Sequence, residues 1–366
     1  MGVERTWVED AIDAIENTKI RHHNYELTRA RLAASCRATF RGELIVLVGP
    51  SRVGKTRCIR DALNVPRENI PDANAWMRVV VVDAGNDSRG GEFSTKGFMA
   101  ECLRGIHHPI YGMPAEDDPW EEHLQAKIHR APEAMLRMAL ENALARRRTE
   151  YFVIDEAHHV RYAPGGDAAA ARILDSYKCL ANRTNIKLVL AGSYEMLSLL
   201  TLAPHLLGRQ QPLEFSRYRS DSRLDVSAWE QVLRKFSESM RFRDNESLSS
   251  WNRYLFDGSH GCVGQLSRWL RAALATLLSD GGDAMTQEIL TRCRLPAAQE
   301  ASILAEIQQG ERHMQSFSGS PREATAPQSH PMQSEAGPPG NLSAKGKAPR
   351  KPFQRSSKRN KVGGRA

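Results

Sequence analysis

Four continuous apolar runs mark the first half of the chain. They occupy residues 44–48, 79–82, 151–154 and 188–190. A run without polar interruptions predicts a strand that is covered on both faces, as in a parallel sheet. Between the runs, apolar residues return at helical spacing, as at Leu136, Leu140 and Leu144. This alternation of strands and helices predicts an α/β domain with helices packed against a parallel sheet.

The strand signal fades after about residue 222, and helical stripes replace it. Trp229, Val232, Leu233 and Phe236 form one stripe, and Leu266, Leu270 and Ala273 belong to another. We therefore predict an N-terminal helical segment over 1–42, an α/β domain over 43–222 and a small helical domain over 223–312.

The last segment, 313–366, is predicted to be a disordered tail. It holds seven of the 18 prolines and few branched aliphatic residues, so it cannot bury enough apolar area to offset its ordering entropy. It also carries ten Lys/Arg and two Glu, which equals the whole net charge of +8. The remaining 312 residues are balanced, so the basic character belongs to the tail rather than to the folded part.

Several protein classes are excluded by simple patterns. No apolar run is long enough to span a membrane, and residues 1–30 contain no apolar signal core. The six cysteines are scattered and form no C-x-x-C pair. This spacing favours neither a zinc ribbon nor a disulfide scaffold, and it suits a reducing cytoplasm.

The strongest chemical signal is the sequence G-P-S-R-V-G-K-T at residues 49–56. It matches the phosphate-binding P-loop pattern and stands directly between an apolar strand and a helical stretch. Backbone N–H groups of such a loop face the phosphates, Lys55 neutralises them, and the Thr56 hydroxyl binds Mg²⁺. The predicted ATP-binding residues are Gly49, Pro50, Ser51, Arg52, Val53, Gly54, Lys55, Thr56 and Arg57.

A second signal follows the third apolar run, where Asp155 and Glu156 stand together. This is the Walker B arrangement, in which Asp155 lies beside Thr56 to hold the metal and Glu156 polarises the attacking water. Because ligands bind outside the carboxyl ends of parallel strands, we expect both motifs at one edge of the sheet.

Ser193 follows the fourth apolar run by three residues, and it has two interpretations. It is our candidate for a residue that senses the γ-phosphate, but serine is also a good helix cap and residues 195–200 look helical. The adjacent His158 and His159 suggest a metal site, yet no further Cys or His cluster supports one, so we interpret them as surface or supporting residues.

The order of these motifs resembles the TnsC/TniB family of AAA+ regulators of DNA transposition. The more specific part of the resemblance is the stretch from Leu188 to Tyr218, which includes Ser193, Leu206-Leu-Gly-Arg209 and Phe215-Ser-Arg217-Tyr218. The resemblance implies an AAA+ fold with a five-stranded parallel sheet and a helical lid, and Mg²⁺-dependent ATP hydrolysis. It also implies a cytoplasmic bacterial protein that assembles as a ring or filament on duplex DNA. Its partners would be a target-selection protein of the TniQ type and a DDE transposase.

The chain departs from the family pattern at two places. The family often has two adjacent arginines where this chain has Gly208 and Arg209, so Arg209 alone would serve as the finger supplied to a neighbouring subunit. Gly264 occupies the slot where related proteins place a lid arginine. Arg268, one turn later, is the candidate substitute at the nucleotide.

The resemblance also implies a DNA contact between the second strand and the next helix. Thr95 and Lys96 match the family's threonine–lysine loop there, and Arg89 is a further candidate. Few contacts per subunit suffice if subunits repeat along the duplex, because each neutralised phosphate releases counterions.

Two other functions remain open from the sequence. One is an origin-recognition or helicase-loader ATPase, a class that usually carries a lid arginine or a winged helix. The other is a STAND-type regulatory switch, which would need a repeat or effector domain. In residues 223–312 we expect neither the lid arginine or winged helix of the first class nor the repeat or effector domain of the second.

Overall fold

The centre of the protein is a sheet of five parallel strands. The structure is a computed structural model, and it describes residues 6–17, 22–65, 76–85, 90–112, 121–206, 212–243 and 246–318. The strands are β1 (Leu44–Val48), β2 (Val79–Asp83), β3 (Tyr151–Asp155), β4 (Lys187–Gly192) and β5 (Leu213–Glu214). Their order across the sheet is β2-β3-β4-β1-β5, and every pairing is parallel. The predicted five-stranded parallel sheet is therefore confirmed.

Burial follows the position of each strand in the sheet. The strands β1, β3 and β4 are buried at every position because they have a neighbour on each side and helices on both faces. The edge strand β2 alternates between half-buried and buried residues over 79–82 and ends at the exposed Asp83. A continuous apolar run thus identified the strands, but it did not distinguish the central strands from the edge.

Helices cover both faces of the sheet. On one face α2 (His23–Ala38) and α3 (Lys55–Ala62) pack over Ile45 and Leu47. On the other face Val46 and Val48 meet a larger layer of helices. That layer consists of α4 (Thr95–Gly105), α5 (Glu121–Arg130), α6 (Glu133–Arg146), α7 (Gly166–Thr184) and α8 (Glu195–Leu202).

A helical bundle with its own apolar core follows the sheet. It contains α9 (Arg223–Ser237), α10 (Asn252–Ser259), α11 (Val263–Ser279) and α12 (Gln287–Arg292), packed around Trp229 and Leu270. The first helix, α1 (Trp7–Asn17), belongs to the same core through Val8, Ala11 and Ile15. The predicted N-terminal segment 1–42 is thus divided, since α1 joins the bundle and α2 joins the sheet.

The last described helix, α13 (Ala297–Ser318), continues past residue 312, where we set the start of the disordered tail. Its end packs against the sheet domain, because Met314 is buried in that core and Phe317 lies against it. Residues 313–318 are therefore helical, and the prediction of disorder from residue 313 is wrong for these six residues. The rest of the predicted tail, 319–366, lies outside the described residues.

Candidate functional site

The strand order brings the three predicted motifs to one edge of the sheet. β4 lies between β1 and β3, so the residue that follows β4 stands between the loop after β1 and the acidic pair after β3. All three are carboxyl ends of parallel strands. The sheet thereby places Ser193 between the phosphate-binding loop and the pair Asp155–Glu156.

The loop of residues 49–54 has a backbone that requires glycine at two points. A Cβ on Gly49 would lie 2.4 Å from the carbonyl oxygen of Phe215, so the chain after β5 leaves no room for a side chain. Gly54 has φ of 109°, in the left-handed region, and directly precedes α3. The loop therefore turns tightly into the N-terminus of a helix, an arrangement that binds anions.

Lys55 lies inside this loop. Its side chain is 5% exposed, and its Nζ donates hydrogen bonds to the carbonyl oxygens of Gly49 at 3.1 Å and Pro50 at 2.9 Å. Burial lowers the pKa of Lys55, while the carboxylates of Glu156 and Asp155 oppose that shift. The lysine is thus a buried cation facing two acids, whereas the neighbouring Thr56 is exposed at the start of α3.

The acidic pair has two different environments. Asp155 is 4% exposed, and its Oδ1 accepts a hydrogen bond from the backbone N–H of Glu156 at 2.9 Å. Glu156 has φ of 49°, a left-handed conformation that costs roughly 1–2 kcal/mol for a residue with a Cβ. Burial raises the pKa of Glu156, and Lys55 opposes that shift. The strained turn separates the two carboxylates into a buried one and a half-buried one.

Ser193 is 2% exposed and makes two local contacts. Its Oγ accepts a hydrogen bond from the backbone N–H of Glu195 at 3.4 Å, and its own N–H donates to Nδ1 of His158 at 3.3 Å. Ser193 thus contacts the first N–H of α8, but Tyr194 and not Ser193 occupies the cap position of that helix. The role of Ser193 as a phosphate sensor stays a prediction.

The sequence analysis missed Asp83. It is the last residue of β2 and is paired in register with Asp155 on β3. Burial and the charge of Asp155 raise the pKa of Asp83. The signal was present, because an acid follows the run 79–82 just as Asp155 follows the run 151–154.

The helical bundle meets the loop at Gly264. This residue is the second of α11, and a Cβ there would lie 2.0 Å from the carbonyl oxygen of Arg52. The bundle and the loop thus approach each other so closely that no side chain fits at this position. Arg268, one turn further along α11, is exposed.

The helix α13 also reaches this edge of the sheet, which no sequence pattern predicted. Arg217 donates from Nε and Nη2 to the two carboxylate oxygens of Glu311, at 2.8 and 3.2 Å. Burial and the charge of Glu195 raise the pKa of Glu306, and Lys55 opposes that shift. A Cβ on Gly310 would lie 2.2 Å from the ring of Tyr194, so the helix lies directly on that ring.

The candidates for DNA contact differ from the predicted loop. Thr95 and Lys96 form the first turn of α4, after the cap Ser94. The Oγ1 of Thr95 donates to Glu133 at 3.0 Å, and the Nζ of Lys96 donates to the carbonyl oxygen of His129 at 2.6 Å. Placing them in a loop was wrong, because Ser94 starts the helix one residue earlier. Arg89 and Arg209 lie outside the described residues.

Three further findings concern metal sites, disulfides and membrane helices in the described part of the chain. No group of three or more His, Cys, Asp or Glu residues there is arranged to hold a metal ion. All six cysteines are free. None of the helices that the structure describes is both long and apolar enough to cross a bilayer.

Comparisons with known proteins agree with this architecture. The family model of the AAA domain matches residues 38–200. No curated protein sequence matches the chain. Among solved structures, Cdc6p from Pyrobaculum aerophilum is similar with a TM-score of 0.51 and 15% identity, over 78% of this chain and 70% of that one.

Two further structures are similar at a lower score. A Walker-type ATPase of Pyrococcus abyssi has a TM-score of 0.48 and 16% identity, over 78% of this chain and 75% of that one. The ORC1 protein of Aeropyrum pernix, solved in complex with DNA, has a TM-score of 0.49 and 17% identity, over 82% and 69%. At such identities a likeness to solved structures concerns the fold alone. Residues 38–200 thus match the AAA-domain model, and the chain has the AAA+ P-loop NTPase fold.

Proposed function

We propose that this protein is an ATPase that regulates transposition. Binding of ATP lets it assemble on duplex DNA, and it then hydrolyses the bound ATP. The observation that carries the ATPase part is the convergence of Lys55, Asp155 and Glu156 at one edge of the sheet. A buried cation within a helix-capping loop faces two carboxylates, which is the electrostatic arrangement that phosphoryl transfer requires.

The residues fit a magnesium nucleotide. The glycine-lined turn and the N-terminus of α3 offer N–H groups to the β- and γ-phosphates, and Lys55 neutralises their charge. Thr56 and Asp155 would hold Mg²⁺, which offsets negative charge on the phosphates. Glu156 orients a water molecule and accepts its proton. Its raised pKa favours this role, since a base works best when its pKa approaches the working pH.

The assembly part of the proposal rests on the resemblance to the TnsC/TniB family. Arg209 would be supplied to the nucleotide of a neighbouring subunit, which makes hydrolysis depend on a ring or filament. Thr95, Lys96 and Arg89 would face the phosphates of the duplex. The assembly would connect a TniQ-type target-selection protein to a DDE transposase.

The stretch from Leu188 to Tyr218 favours this proposal over an origin-recognition or helicase-loader ATPase, because it is the more specific part of the resemblance to the TnsC/TniB family. The glycine at position 264 does not separate the two, since it departs from the TnsC/TniB pattern as well. The similarity to Cdc6p concerns the fold and does not alter this choice.

Electron microscopy of the purified protein tests the proposal. With duplex DNA and a non-hydrolysable ATP analogue, we expect rings or filaments on the DNA, and none without nucleotide. The variant Glu156→Gln should give the same assemblies with ATP itself, because it keeps Lys55, Thr56 and Asp155 but lacks the base. Wild-type turnover in Glu156→Gln would overturn the catalytic role, and assemblies that ignore nucleotide would overturn the regulatory one.

Two further variants separate the DNA contacts from the tail. Lys96→Glu should disrupt assembly on DNA, because it puts a repulsive charge beside a phosphate in every subunit. Truncation after Ser318 should keep the nucleotide requirement and flatten the salt dependence of binding, since the positive charges of the removed segment act through counterion release. Filter binding over a salt series measures both. If Lys96→Glu binds as wild type does and the truncated protein does not bind, the tail is the DNA-binding element.

A further inference from the structure

One ring nitrogen of His158 touches both strand ends that flank the predicted reaction centre. His158 is the second residue of the 3₁₀ turn Ala157–Tyr162, which follows Glu156. Its Nδ1 accepts a hydrogen bond from the backbone N–H of Ser193 at 3.3 Å, and the same atom lies 3.3 Å from Oε2 of Glu156. His158 therefore bridges the end of β4 and the carboxylate that follows β3.

The backbone is shaped to allow this approach. A Cβ on Gly192 would lie 3.2 Å from Nδ1 of His158 and 2.8 Å from Cγ of Met196. A side chain at residue 192 would therefore crowd the imidazole away from β4. The left-handed conformation of Glu156 turns the chain so that His158 comes back over the sheet edge. Two local features thus cooperate to hold the ring between the two strands.

The two contacts exclude each other chemically. The Ser193 N–H is a donor, so Nδ1 must carry no hydrogen to accept from it. The Glu156 carboxylate is an acceptor, so Nδ1 must carry a hydrogen to donate to it. In a neutral imidazole only one nitrogen carries the hydrogen. Burial, followed by the charges of His159, Lys55 and Arg161, lowers the pKa of His158 to about 4, which keeps the ring neutral at physiological pH.

We propose that His158 is a positioning residue that couples the position of Ser193 to the orientation of Glu156. Without nucleotide, Nδ1 accepts a hydrogen bond from the Ser193 amide and does not donate one to Glu156, so His158 does not orient that carboxylate. When Ser193 moves toward a γ-phosphate, the amide leaves Nδ1. The ring then gives up its Nε2 proton to water, gains one from water at Nδ1 and donates to Oε2 of Glu156. The other carboxylate oxygen is thereby presented to the attacking water.

This inference rests on the proposed ATP hydrolysis, and steady-state kinetics test it. His158→Phe keeps a ring but has no nitrogen, so we expect kcat to fall about tenfold while affinity for a fluorescent ATP analogue changes less than about threefold. His158→Asn places an amide where Nδ1 stands, and it should restore kcat to within about threefold of wild type. His159→Phe is the matched control, because the ring of His159 lies beside that of His158, with centroids 4.4 Å apart, but its hydrogen bond goes to the Ala84 carbonyl and not to Glu156 or Ser193. It should stay within about twofold of wild type.

A purely structural role for His158 would lower stability and nucleotide affinity together with kcat. The inference is overturned if His158→Phe keeps its kcat, if His158→Asn is as slow as His158→Phe, or if His159→Phe reproduces the loss. A wild-type protein without any ATPase activity would instead overturn the proposed function.

A second measurement needs no turnover. Histidine-selective nitrogen NMR reports which ring nitrogen carries the proton. We expect Nδ1 of His158 to be hydrogen-free without nucleotide and protonated with a non-hydrolysable ATP analogue and Mg²⁺. An Nδ1 that keeps the same state in both conditions would refute the coupling, even if the protein binds the analogue normally.

Discussion

The two sides of the candidate nucleotide site are built in different ways. On the sheet side, Lys55, Asp155 and Glu156 come from short motifs in which strand, turn and reactive residue are neighbours in sequence. On the other side, the bundle and α13 contribute Gly264, Glu306 and Glu311, which lie far from those motifs along the chain. The sheet side supplies charged groups that act on phosphates. The other side supplies a close backbone contact at Gly264, the ion pair of Glu311 with Arg217 and the nearby carboxylate of Glu306.

Lys55→Ala tests the sheet side and should have the largest effect. It removes the buried cation from the phosphate-binding loop, so we expect nucleotide affinity to fall about 100-fold, which corresponds to about 2.7 kcal/mol. Equilibrium titration with a fluorescent ATP analogue measures the loss. Arg60→Ala is the control, because Arg60 lies on the same helix but is exposed in its last turn. Equal losses in both variants would mean that Lys55 has no special role.

Acid should loosen the junction between the two sides through His22. The Nδ1 of His22 lies 2.8 Å from the hydroxyl of Tyr218, and the N–H of Tyr218 donates to the Gly261 carbonyl of the bundle. Burial lowers the pKa of His22 from 6.5 to about 4. Between these values the unfolded chain binds a proton that the folded chain does not bind. Stability should therefore fall as the pH drops, by about 2 kcal/mol at about pH 5.

Urea unfolding at neutral and acidic pH measures this effect. His22→Asn keeps an oxygen that can accept from the Tyr25 N–H, as His22 does at 3.3 Å, but it does not titrate. It should lose about 2 kcal/mol less than wild type on acidification. His23→Asn, at an exposed position, should lose nearly as much as wild type, because burial outweighs the charge of His23 in lowering the pKa of His22. The same acid loss in all three proteins would exclude His22 as its source.

Gly264→Ala tests the contact between the bundle and the loop. The added Cβ would lie 2.0 Å from the Arg52 carbonyl oxygen, so α11 must shift away from the loop. We expect about a tenfold loss of nucleotide affinity and about 1 kcal/mol of destabilisation, as for overpacked sites. Ser267→Ala on the same helix should change neither quantity. If Gly264→Ala binds nucleotide as wild type does, the bundle does not shape the site.

Glu311→Gln tests whether the ion pair with Arg217 holds α13 against the sheet domain. It removes the charge from a mostly buried bidentate pair with Arg217, so we expect a loss of about 1 kcal/mol in stability and earlier cleavage of α13 by protease. Glu288→Gln, at an exposed position of α12, is the matched control. Unchanged cleavage of the Glu311→Gln protein would show that apolar contacts alone hold α13.

Glu306→Gln should give the smallest change, and in the opposite direction. The carboxylate of Glu306 interacts with Lys55, so it also repels an incoming phosphate. Neutralising it should raise ATP affinity by about threefold at low salt and less at high salt, because the charge is partly screened. The Glu288→Gln protein again serves as control. A weaker affinity for ATP would mean that Glu306 supports the site.

The sequence was most informative where strand, turn and chemistry are adjacent. The residues 44–56 and 151–156 revealed both the strands and the reactive groups, because tight phosphate-binding turns need glycine, and buried parallel strands need continuous apolar runs. Asp83 was overlooked, although it also is an acid directly after an apolar run. The first turn of α4 was taken for a loop, since the cap Ser94 was not recognised.

Local patterns therefore determined that this chain contains a parallel sheet, a phosphate-binding loop and an acidic pair, since these depend on residues within a few positions of one another. Tertiary structure alone decided that α1 joins the bundle, that α13 returns to the sheet edge, and that His158 lies between Ser193 and Glu156. An apolar stripe shows that a helix face is buried but does not identify the partner that covers it. The choice of partner depends on which surfaces fit together, and that fit involves residues hundreds of positions apart, as between Arg52 and Gly264.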